Sequence, residues 1–180
     1  DILFGDYNPS GRLTISFPRV EGQVPVYYNY KKSGRPGDMP HSSTTRHIDV
    51  PNAPLYPFGY GLSYTTFSYS VPQSTQKEYT RQETVSVTVT NTGDRDGEET
   101  VQLYVNDKVA SVVRPVKELK AFKKIFLKAG ESKTVQFDIS PLALGFYDAA
   151  MNYVVEPGEF EIMTGCNSND LQTISVKLIN

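Results

Sequence analysis

Four carboxylates fall within six positions: Asp94, Asp96, Glu98 and Glu99. Two carboxylates can cleave a glycosidic bond when they flank it at about 5–10 Å, and clustered ones can hold calcium in a loop. Here they lie in and beside the turn Asn91-Thr92-Gly93-Asp94-Arg95-Asp96-Gly97, with Arg95 among them. That setting describes solvated turn residues better than a reacting pair. His41 and His47 are separated by five residues of a polar loop. No cysteine or carboxylate stands at ligand spacing from them on a regular element, so no metal site is expected. Gly61-Leu62-Ser63 does not complete a Gly-x-Ser-x-Gly elbow. Cys166 is the only cysteine, which excludes an intrachain disulfide. No catalytic, substrate-binding or metal-ligating residue is assigned, and no cofactor is expected.

Two other groups could bind rather than react. Lys108, Arg114, Lys117, Lys120, Lys123 and Lys124, with Phe122 and Phe126, resemble a nucleic-acid face in composition. The formal net charge is −2 and these lysines alternate with apolar residues, so solvated strand faces and protected edges account for them. Tyr27, Tyr28 and Tyr30, with Arg35, could stack on sugar rings and donate to hydroxyls. Packing between two bodies is the stronger reading of the tyrosines. No run of 18 apolar residues could cross a membrane. Neither nucleic acid nor membrane is an expected partner. The chain begins with Asp inside an apolar element and has no leader pattern. It is expected to be processed, or cut from something longer.

The elements that position these groups form three zones. In residues 1–18, Ile2, Leu3 and Phe4 read as a last helical turn stopped by Gly5. Leu13, Ile15 and Phe17 then alternate with polar residues as a short strand ended by Pro18. Such a strand must pack its apolar face on the following domain, pair with another copy, or be disordered. Residues 19–62 show no sustained period, and a structureless stretch of that length suggests a wrapping connection. Its end, Leu55 to Leu62, crowds rings, glycines and a proline at a junction. In residues 63–180 about seven strands recur with regular turns: Thr66–Ser70, then alternation through Val85/Val87/Val89, Val101/Leu103/Val105, Leu119 to Leu127 with a bulge near Ala121, Val135/Phe137/Ile139, Phe160/Ile162/Thr164 and Ile174/Val176/Leu178. Pro141–Gly145 allows one helical turn, and a small hairpin is expected between Phe146 and Val155. The fold class is all-β, an antiparallel sandwich of the immunoglobulin or fibronectin type III kind. The absence of Trp and of a Cys pair excludes the antibody version.

Several motifs, taken in order, resemble one family. Gly5-Asp6-Tyr7-Asn8-Pro9-Ser10-Gly11-Arg12-Leu13-Thr14-Ile15-Ser16-Phe17-Pro18 resembles the end of the α/β-sandwich domain of family 3 glycoside hydrolases, the β-glucosidase and β-xylosidase family. Gly22-Gln23-Val24-Pro25-Val26-Tyr27-Tyr28-Asn29-Tyr30 and Ser33-Gly34-Arg35-Pro36 resemble the connection that follows. Pro57 to Phe67 resembles the entry to the family's fibronectin type III-like domain, and Asn91-Thr92-Gly93, Gly97, Glu99, Val101 to Val105 and Arg114-Pro115 with Lys117-Glu118-Leu119 resemble its body. The resemblance implies that residues 1–18 are the remnant of the α/β domain, 19–62 the connection and 63–180 the sandwich. It implies a parent that hydrolyses β-linked glycosides with retention, and an extracytoplasmic location. The family's nucleophile and acid/base lie upstream of these motifs, so the chain alone is expected to be inactive. Its expected partners are the upstream catalytic domains, with self-association possible through the N-terminal strand.

Overall fold

The computed structural model describes residues 1–32, 34–35, 46–80 and 82–179; His41 and most of the polar stretch 31–45 lie outside them. The strands are β1 (Phe67–Tyr69), β2 (Gln73–Ser74), β3 (Glu78–Tyr79), β4 (Glu83–Asn91), β5 (Gly97–Asp107), β6 (Glu118–Leu127), β7 (Ser132–Ile139), β8 (Phe146–Tyr147), β9 (Tyr153–Val154), β10 (Gly158–Gly165) and β11 (Leu171–Leu178). A single helical turn, α1, spans Pro141–Leu144. The all-β sandwich expected from alternation is present.

One sheet is centred on β4. Strand β7 pairs with it from Glu83 to Thr90, so β1 and β2 must share its other edge, at Val89–Asn91 and Val85–Ser86 respectively. The second sheet runs β3-β11-β10-β5-β6, antiparallel except where β3 joins β11. Between the sheets lie Val85, Val87 and Val89, Val101 and Leu103, Val135 and Phe137, Phe160 and Ile162, and Val176 and Leu178, all buried. β-Branched and aromatic side chains suit a pleated, half-buried surface, and their period of two places them all on the inner faces. The expected bulge exists: Leu103 faces Ala121 while Tyr104 faces Leu119, leaving Lys120 as the extra residue.

Strand β5 departs from simple alternation. From Val101 to Asp107 every side chain is buried, on both faces. Something therefore covers the outer face of the five-stranded sheet, and that cover is the wrapping connection.

The N-terminal zone corrects two expectations. Gly5 has φ +84°, its N–H donates to the Ile2 carbonyl at 3.2 Å, and the Asp6 N–H donates to the Asp1 carbonyl at 3.0 Å. Those paired bonds are the hydrogen bonding of a Schellman helix end, as expected of a glycine stop, although residues 2–5 form only a turn. Residues 12–17 do not form a regular strand. They run antiparallel to residues 55–60 with a single bridge, Phe17 to Tyr56. Leu13 and Phe17 donate to the Tyr60 and Tyr56 carbonyls, and Gly59 and Leu55 donate back to the carbonyls of Leu13 and Phe17, each at 2.8 Å. The face is also inverted: Ser16 is buried, whereas Ile15 is 63% and Phe17 47% exposed. The apolar side of this ribbon points away from the sandwich.

Candidate functional site

The chain's polar and aromatic chemistry converges where residues 8–32 and 46–64 meet the sandwich. The first cluster fastens the N-terminal ribbon. Asn8 donates to the Asp96 carbonyl at 2.9 Å and accepts from the Ser63 hydroxyl and the Tyr64 N–H at 2.9 and 2.8 Å. The Ser10 hydroxyl donates to Glu98 at 3.0 Å. Arg12 pairs with Glu99, whose other oxygen accepts from the Tyr69 hydroxyl at 2.6 Å.

Glu99 overturns the turn reading of the carboxylates. It shares the parity of Val101 and Leu103 on β5 and is 1% exposed. Burial pushes its carboxyl above the ordinary glutamate range, against the pull of Arg12 and Tyr69. The same burial, with Glu99 beside it, drives the Tyr69 hydroxyl upward. The other three carboxylates behave as expected of a turn. Asp94 and Asp96 are exposed, with Asp96 accepting from the Ala129 N–H at 2.9 Å. Glu98 is partly exposed, and its bonds from Lys124 and Ser10 hold it below the usual range. Every oxygen of the Arg12–Glu99–Tyr69 triad is occupied by a neighbour within the chain, which is the pattern of a latch rather than of a reacting site.

The second cluster fastens the aromatic junction. Gly59 has φ +81°, and a Cβ there would strike the Gln102 side chain. That close approach lets Gln102 donate to the Gly59 carbonyl at 3.1 Å and to the Cys166 carbonyl at 2.6 Å, while accepting from the Tyr104 hydroxyl. The Ser168 N–H reaches the Phe58 carbonyl at 2.9 Å. Tyr28 stacks on Phe58 at 4.2 Å and meets Tyr104 edge-on at 5.8 Å, and its hydroxyl accepts from the Leu119 N–H. Tyr28 is thus a packing residue, as expected. Tyr27 and Tyr30 are not: they are 58% and 57% exposed. Arg35 is exposed as well.

Between connection and sandwich lies a groove of about 1050 Å³, walled by Tyr27, Tyr28 and Tyr30 and floored by Lys117 and Ser168. His47 lines it too, but among the described residues no group of three His, Cys, Asp or Glu is placed to hold a metal ion. The supposed nucleic-acid face dissolves into pairs. Lys108 lies 3.7 Å from Glu159 and from Glu161, Lys124 2.8 Å from Glu98, and Lys120 3.7 Å from Glu118, which also takes Arg114. Lys123 lies over the Phe137 ring. No described helix is long and apolar enough to cross a membrane.

Two family models match parts of the chain. The model of the glycosyl hydrolase family 3 C-terminal domain matches residues 1–64, and that of the fibronectin type III-like domain matches residues 99–168. A periplasmic β-glucosidase of Salmonella typhimurium is 50% identical over 99% of this chain, and a β-xylosidase of Formosa agariphila is 47% identical over 98%. The chain spans 24% of the length of each. The crystal structure of a β-glucosidase from Listeria innocua in complex with laminaribiose covers the whole chain with a TM-score of 0.94 at 42% identity, the chain being 25% of that protein. The chain is therefore similar in sequence and in fold to the C-terminal region of family 3 glycoside hydrolases, including their fibronectin type III-like domain.

Proposed function

We propose that this chain is the non-catalytic C-terminal region of a retaining β-glycosidase, and that its sandwich acts as a buttress for the catalytic part. The carrying observation is the asymmetry of the N-terminal ribbon. One side is latched to the sandwich by Arg12, Ser10 and Asn8. The other presents Ile15 and Phe17 outward, an apolar surface suited to a neighbouring body. In this reading residues 1–18 complete an α/β domain, 19–62 connect it, and 63–180 form the buttress. The same face gives the isolated chain a second use, self-association, which sedimentation at rising concentration detects. The parent acts on β-linked glycosides outside the cytoplasm. Hydrolysis of an aryl β-glucoside tests the core of the proposal: the purified chain turns over none, and turnover that tracks the chain through purification overturns it.

The exposure of Tyr27 and Tyr30 favours a second reading, a carbohydrate-binding module. Saturable binding of neutral β-glucan or xylan oligosaccharides to the isolated chain in calorimetry, abolished by Tyr27→Ala with Tyr30→Ala, would establish it.

A further inference from the structure

Lys117 differs from most of the cationic run that contains it. Lys108, Lys120, Lys124 and Arg114 each meet a carboxylate. Lys117 is half-buried in the groove floor, and its ammonium donates to the Ser168 carbonyl at 2.6 Å. It has no carboxylate partner among the described residues, so its remaining N–H groups lack a charged acceptor. Holding an ammonium out of water without a counter-charge is costly, and burial accordingly pulls its pKa down. Beside it, Ser168 is 1% exposed and its hydroxyl has no partner among the described residues. Lys31, Lys32 and Arg46 line the same groove, and among the described residues no Asp or Glu does. Among the described residues the site therefore holds a positive charge with no carboxylate partner, a buried hydroxyl beside it, and two exposed tyrosine rings.

We infer that this groove is the seat of an acidic segment from the part of the polypeptide outside this chain, with an Asp or Glu carboxylate seated on Lys117 and Ser168. A carboxylate supplies the acceptors that both groups lack, and the rim cations draw it in. The volume exceeds that of a single side chain, so flanking residues of the segment lie on the rings of Tyr27 and Tyr30. Three quarters of the length of the matched relatives lies outside the region this chain covers, which provides the source of such a segment. The inference rests on the reading of the chain as part of a longer glycosidase.

The test uses the longer protein. Zero-length carbodiimide coupling joins a carboxylate to an amine only where they touch, and digestion with mass spectrometry identifies the joined peptides. The expected product links Lys117 to an Asp or Glu outside these 180 residues. Lys117→Met lowers the melting temperature of the longer protein by about 2–4 °C, Lys117→Arg restores most of it, and the isolated chain shifts by less than about 1 °C. Acetylation of Lys117 in the longer protein at the rate of its exposed lysines overturns the inference, as does coupling only to residues of this chain. Saturable binding of glucuronate to the isolated chain, weakened tenfold or more by Lys117→Met, also overturns it and assigns the groove to a sugar acid. Absence of glycosidase activity in a longer protein that shows the expected link would defeat the functional reading and leave the groove assignment standing.

Discussion

Replacing Arg12 by Met removes the charge that compensates Glu99 and leaves a carboxylate at 1% exposure. Deleting one partner of a buried pair costs about 3–5 kcal/mol, because the surviving charge is left desolvated. Here the Tyr69 hydroxyl still donates to Glu99, so the lower end applies, about 3 kcal/mol at neutral pH. Glu99 already titrates above its ordinary value of 4.5 in the folded chain. The folded state therefore holds the proton through a window above that value, and stability from this group falls as pH rises through it. Losing Arg12 removes a cation that pulls the pKa down, so the window widens upward and the loss of stability steepens. Urea unfolding of the variant at pH 5 and pH 8 should show a larger deficit at pH 8. Hydrogen exchange should show the Leu13, Phe17 and Gly59 amides losing protection first, because they bind the ribbon that Arg12 anchors. Adding Glu99→Gln should recover part of the loss. A deficit under about 1 kcal/mol that does not change with pH, or full additivity of the two substitutions, would refute the latch.

Gly59→Ala should cost about 2–3 kcal/mol in urea unfolding, from its left-handed φ together with the clash against Gln102. Burial pushes the Glu83 carboxyl up, but one oxygen accepts from the Ser74 hydroxyl, the Thr75 N–H and hydroxyl, and the Gln76 N–H, and the net shift is downward. Stability from Glu83 is therefore present above the ordinary glutamate range and lost as pH falls through the depressed value; Glu83→Gln should flatten the acid side of the stability profile. Burial, with Asp170 next to it, pushes the Cys166 thiol up to about 12, so iodoacetamide at pH 8 should label it only on unfolding.

Much of the sandwich was legible because its strands have one dry face. The Val85, Val87 and Val89 alternation and the break at Lys120 follow from burial and pleat alone. The orientation of residues 12–17 was not legible, because alternation separates an apolar side from a polar one without saying which side is covered. The chain covers the Ser16 side, and the apolar side faces outward. Glu99 was obscured by its neighbours in the turn, although its parity with Val101 was a usable signal. Tyr28 and Tyr27 are adjacent and chemically identical, and only the three-dimensional contacts of Tyr28 with Phe58, Tyr104 and the Leu119 N–H distinguish their roles. Lys117 stands out only once every other lysine of the run has been given its partner in space. Two-residue strands such as β2 and β3 carry too few side chains to show a period.

In the proposed role the sandwich supports a catalytic body and neither reacts nor captures substrate. The most direct measurement deletes residues 63–180 from the longer protein and compares melting temperature with kcat/KM on a short aryl β-glucoside and on a polymeric substrate. A buttress requires a large fall in melting temperature with the ratio of the two kcat/KM values unchanged in the folded fraction. An unchanged melting temperature with a selective loss on the polymer would contradict it and make the sandwich a binding module.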